Sequence, residues 1–117
     1  ESILWHQGES DYNETNEYYR NRLRHVVGEY RRTFGKNVVF IGGEVLKCGN
    51  THKQNAVLRE LNHNNDVYTR CAFSKNLDHC GDKLHFNTQS HRDLGDMYFE
   101  QYMITQYMSI LKKSNLK

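Results

Sequence analysis

The chain alternates between short apolar runs and longer stretches in which apolar residues recur every three or four positions. Ser2 to Trp5 (SILW) is a short apolar run and predicts a buried strand. From Glu17 the apolar positions Tyr19, Leu23, Val26, Val27, Tyr30 and Phe34 fall on one helical face, and Gly35 stands where a left-handed cap would end that helix. Asn37 to Val45 (NVVFIGGEV) is β-branched and apolar in its first half, which predicts a second buried strand. Thr51 is a candidate cap for a further helix with Val57, Leu58 and Leu61 as its stripe. Asp66 to Phe73 predicts a third strand, Ser74 to Asn87 a long polar loop. Thr88 to about Leu111 predicts a final helix, with Leu94, Met97, Tyr98, Met103, Ile104 and Leu111 as its apolar positions.

Strands that alternate with helices pair in parallel through right-handed crossovers, so the expected class is α/β with helices on the sheet. In such sheets the loops leaving the carboxyl ends of the strands form the active site. Two of these loops, WHQGESDYN (5–13) and SKNLDHCGDKLHFN (74–87), hold most of the distinctive chemistry. The 117 residues suit one small domain and show no internal repeat or boundary.

Charge narrows the partners. Sixteen basic and fourteen acidic residues leave a formal charge of +2, spread along the chain, which argues against a nucleic-acid arm or an acidic tail. Arg20, Arg24, Arg31 and Arg32 on the first helix read as a solvated face. No apolar run approaches the ~20 residues of a membrane span, and no signal-peptide pattern is visible. A start without Met, inside an apparent strand, is expected of a portion of a longer gene product. Cys48, Cys71 and Cys80 are odd in number and lack CxxC spacing, so free thiols are expected. The compartment stays open, the balance tipping to the cytoplasm over secretion.

Three local patterns invite a chemical reading. Gly8-Glu9-Ser10 after an apolar run has the look of a nucleophilic serine on a turn. Asp82-Lys83-Leu84-His85 is a D-x-x-H pair: the carboxylate can reach the imidazole Nδ1, fixing its tautomer, or the two can be chance neighbours in a loop. His79, Cys80 and His85, with His91 or His6, form a ligand-rich set without a familiar zinc spacing. Gly42-Gly43 after a strand is a weak phosphate-loop pattern, because no GxGxxG or GxxxxGK[ST] follows.

Trp5-His6-Gln7-Gly8-Glu9-Ser10-Asp11 closely resembles the W-x-Q-G-E-s-D block of the carbohydrate O-acetylesterases. These are the sialate O-acetylesterases and related acetylxylan esterases of the SGNH-hydrolase superfamily. The resemblance continues through Tyr18 or Tyr19, through Val38 to Gly43, and ends at Gly81-Asp82-Lys83-Leu84-His85-Phe86, which is similar to the family's terminal D-G-x-H-f, with Leu94-Gly95 in the helix beyond. It implies a three-layer α/β/α parallel sheet of the SGNH (flavodoxin-like) type, with residues 1–117 forming the C-terminal part of the domain.

It also implies a serine-type acyl transfer that removes acetyl groups from sugars, with His85 as general base and Asp82 as its orienting carboxylate. Gln7, Gly8 and Glu9 form the oxyanion and substrate side, Glu9 chiefly by fixing the loop, and Trp5 packs beneath the pocket. No metal or organic cofactor is implied, and neither nucleic acid nor membrane is a partner; the substrate is an O-acetylated carbohydrate of the sialic acid or xylan type. The family's GQSN or GDS serine element is not found here, and Ser10 matches the other block. The nucleophile is therefore expected upstream of these residues, and the missing N-terminal half or a second copy would complete the fold. The alternative is a truncated, non-catalytic half-domain that only binds sugar or has no activity alone. Gln7 and His85 are expected to converge on one pocket.

Overall fold

The computed structural model describes residues 1–49 and 52–116. Three strands, β1 (Ser2–Trp5), β2 (Val39–Gly43) and β3 (Thr69–Ala72), form a parallel sheet in the order β1-β2-β3. Helix α1 (Asn16–Phe34) joins β1 to β2, and the short α2 (Asn55–Glu60) joins β2 to β3. The long α3 (Thr88–Asn115) follows the loop after β3. The architecture is the expected α/β/α sandwich.

The central strand shows why the layers form. Every residue of β2 is buried, with alternate side chains entering separate cores. On one face Phe40 joins Tyr19 and Leu23 of α1, Val57 and Leu58 of α2, and Cys71. On the other, Val39 and Ile41 join Ala72, Phe86, and Leu94 and Tyr98 of α3.

The helix boundaries follow local chemistry. The Thr15 side chain caps α1 by accepting from the Tyr18 amide at 3.1 Å. Gly35 ends it at φ 108° and ψ 149°, a backbone that favours glycine but is not the left-handed helical cap expected from the sequence. Phe34, expected in the apolar stripe, lies mostly in solvent because the helix has by then passed the sheet. The supposedly solvated arginine face is partly structural. Arg20 pairs with Glu60 of α2 at 2.6 Å, while Arg31 binds Asp66 and Thr69, tying α1 to the start of β3. The Thr51 cap lies outside the described residues; α2 begins after Gln54, without a side-chain cap.

On α3 the buried residues are Ser90, Leu94, Tyr98, Gln101 and Thr105, one stripe at helical spacing. Met103 and Leu111, expected in that stripe, face solvent instead. Three polar residues take inner positions because they find partners there: Ser90 accepts from the Asp78 amide, Gln101 accepts from Arg70, and Thr105 donates to the Tyr102 carbonyl. No helix among the described residues is long and apolar enough to cross a membrane.

Candidate active site

Loop 74–87 is pinned at both ends. Its first residue, Ser74, offers its amide (2.9 Å) and its hydroxyl (3.1 Å) to the wholly buried Glu44 carboxylate, which also binds Arg59 of α2. Its last residue, Asn87, caps α3 by accepting from the Ser90 amide at 2.8 Å. Between these ends the chain folds back on itself. His79 bridges Phe86, Cys80 donates its amide to the His85 carbonyl (2.9 Å), and Asn87 donates to the Asp78 carbonyl (3.0 Å). Gly81 at φ 118° and Lys83 at φ 60° make the tip between these two arms.

That tip presents the D-x-x-H pair. Asp82 Oδ1 accepts the main-chain amides of His85 (2.8 Å) and Leu84 (2.9 Å), and Asp82 Oδ2 meets His85 Nδ1 at 2.5 Å. The His85 amide, then its ring and the Leu84 amide, hold the Asp82 carboxyl well below the usual carboxylate range. With Nδ1 engaged by a carboxylate, Nε2 is the nitrogen left to exchange a proton with a substrate or nucleophile. Both side chains are solvent-accessible.

The WHQGESD loop leaves β1 at the same end of the sheet. Gly8 is buried at φ 148°, a conformation that disfavours any side chain. A turn of 3-10 helix, Glu9–Asp11, follows. Gln7 donates one amide hydrogen to Asp11 Oδ2 at 2.5 Å; the other meets no acceptor among the described residues. Gln54 donates to the Asp11 carbonyl and fastens the turn to the start of α2. Glu9, expected to fix the loop, takes no hydrogen bond among the described residues; Tyr19 and Gln54 do that work because they approach from the covering helices.

The two loops meet through their neighbours: the His6 ring packs on Phe86, with centroids 5.6 Å apart, and Phe86 packs in turn on His91. Gln7 itself lines a groove of about 290 Å3 beside α1, with Trp5, Asp11, Tyr18, Tyr19 and Arg22. Ser10 lies exposed on the turn, and no serine hydroxyl is hydrogen-bonded to His85 among the described residues. No three His, Cys, Asp or Glu side chains among the described residues gather as a metal site. Cys71 and Cys80 are free thiols. Gly42 and Gly43 serve packing: a side chain at Gly42 would sit 2.9 Å from Leu58 and Leu61, and one at Gly43 would overlap the Tyr98 hydroxyl.

A carboxylate-held imidazole at the carboxyl end of a parallel α/β sheet is a layout suited to hydrolysis. The chain belongs to the carbohydrate esterase family described as sialic acid-specific acetylesterase, which matches residues 1–104. No curated protein and no solved structure matches it.

The sequence pattern named Gln7, Gly8, Glu9, Asp82 and His85, but not the groups that hold them: Glu44, Gln54, Ser74, Tyr19 and Tyr98. A buried polar residue that bonds backbone across the fold has no local pattern. The one available signal was the glycine pair, whose missing side chains mark a close approach by something else.

Proposed function

We propose that this chain supplies the His–Asp pair and the oxyanion side of an esterase that removes acetyl groups from sialic acid or xylan-type carbohydrates. The observation that carries the reading is the doubly anchored Asp82, which accepts both the His85 amide and its Nδ1. A serine hydroxyl attacks the acetyl carbonyl and gives its proton to His85 Nε2. The tetrahedral adduct expels the sugar oxygen, which takes that proton back. Water then attacks the acetyl-serine, again through His85, and acetate leaves. The second Gln7 N–H and the backbone at Gly8 serve in this reading as donors to the developing oxyanion, each such donor being worth roughly 3 to 4 kcal/mol. Glu9 accepts from sugar hydroxyls. The reaction needs no metal or organic cofactor.

The serine belongs to an upstream half of the domain, residues 1–117 forming its C-terminal part. Support comes from β1, whose outer edge has no strand partner among the described residues. A groove flanks it on either face: the one with Trp5 and Gln7, and one of about 250 Å3 with Leu4, Phe99 and Tyr102. A second copy is the other occupant of that edge. Because no serine meets His85 here, a non-catalytic sugar-binding half-domain is the second reading.

Acetate release from an aryl acetate, O-acetylated sialic acid and acetylated xylan separates these readings, measured for this chain and for a longer form with the upstream residues. Turnover by the longer form alone is expected, and Asp82→Asn in that form should lower kcat by about 10^3 to 10^4-fold. Turnover by the short chain that Ser10→Ala abolishes would instead make Ser10 the nucleophile. A longer form without turnover on any of the three would leave the sugar-binding reading.

A further inference from the structure

Residues 5–7 are gripped from three directions. From α3, Tyr98 passes over the empty Cα of Gly43 and donates its hydroxyl to the Trp5 carbonyl at 2.6 Å. From α1, on the opposite face of the sheet, Tyr19 donates to the Gln7 carbonyl at 2.9 Å. Between these two carbonyls, His6 packs on Phe86, the residue next to His85. The loop then enters Gly8, where an added side chain would stand 3.4 Å from the same Tyr19 hydroxyl. Each phenol is buried against protein and holds a backbone carbonyl where β1 passes into the loop, ahead of the turn that Gln54 fastens at Asp11.

We infer that Tyr19 and Tyr98 are positioning residues for catalysis: a two-sided clamp that sets the Gln7–Gly8 donors at a fixed height relative to His85. The inference rests on the reading of Gln7 and Gly8 as the oxyanion side. Gln54 fastens the loop only further on, at Asp11, so without the phenols residues 6–8 would drift, and donors aimed at a developing charge lose most of their effect when displaced by an ångström. The clamp reaches the loop from both helical layers, so it resists displacement toward either face. Burial keeps both hydroxyls protonated, and so donating, well past neutral pH; Tyr19 is pushed up to about 12.

Phenylalanine removes each hydroxyl and keeps the ring. In the longer form carrying the serine, Tyr98→Phe and Tyr19→Phe should each lower kcat about 10-fold with KM held within twofold, since the donors act on the transition state more than on the bound ester. The double variant should fall well short of the ~100-fold product, because one loop is being released twice. In the present chain, amide hydrogen exchange at Gly8 and Glu9 should quicken about 5-fold or more in either variant, while exchange in β2 stays unchanged. A kcat within twofold of the parent in both single variants overturns the clamp, whatever happens to Tm. So does a fall in kcat without faster exchange at Gly8 and Glu9, or one with exchange in β2 quickened equally, which would mark a general loss of stability. Absence of turnover in the parent defeats the esterase reading itself, and the exchange measurement then decides the clamp alone.

Discussion

At Gly43 the chain gives up a side chain so that Tyr98 can cross from α3 to the end of β1. Gly43→Ala places a methyl where that hydroxyl stands. The ring must shift or the strand must yield, and overpacking of this kind costs typically about 1 to 3 kcal/mol. Thermal melting should show the loss, and Tyr98→Phe in the Gly43→Ala background should recover only part of it, since the ring carbons also lie close. The buried phenols carry a second consequence. Tyr19 titrates at about 12 rather than its ordinary 10.0, so the folded chain holds that proton more tightly than the unfolded one. The stability this contributes is complete below pH 10 and is lost as the pH rises toward 12. The Tm of the parent should fall across that interval, and Tyr19→Phe should fall less steeply over the same range. An equal slope in both would assign the alkaline loss to Cys71 and Tyr98, whose burial shifts them upward too.

The elements are held in register by polar residues at their ends. Glu44 closes β2 and gathers Arg59 from α2 and Ser74 from the loop after β3, while Asn55 exchanges two hydrogen bonds with Val45 at 2.8 and 2.9 Å. Glu44→Ala removes a buried acceptor and leaves the Ser74 amide unpaired, a change expected to cost about 2 to 4 kcal/mol. Chemical denaturation measures that cost, and circular dichroism of the surviving fold shows whether α2 is still ordered. These ties explain what could be read from the residues and what could not. Periodicity located all three strands and all three helices, because burial on one face leaves a repeating mark in the chain. It failed at Phe34 and Leu111, near the ends of their helices, and at Met103, which lies off the buried stripe between Gln101 and Thr105. It also failed on Arg20 and Arg31, since a charge on a helix face looks the same whether it is solvated or paired with a distant carboxylate. The His85–Asp82 pair was legible because both partners sit three residues apart. Glu44, thirty residues from Ser74, was not.

At the scale of the molecule, the sheet brings both chemical loops to one end and α3 closes the fold over them. Helix α3, at 28 residues, extends about 42 Å, whereas the strands have only four or five residues. Its far end is tied back by Tyr68, which meets the Ser109 hydroxyl at 3.4 Å and lies under the Lys112 ammonium. The Tyr98–Trp5 bond spans 93 positions of the sequence, so it closes nearly the largest loop this chain contains. Closing so long a loop costs more chain entropy than any strand pairing in the sheet, and that cost falls due only when α3 docks. The loop after β1 is thus among the last of these segments to acquire its final shape. A chain emerging from the ribosome can pair β1 with β2 early, but the loop from Trp5 to Gly8 stays loose until α3 arrives.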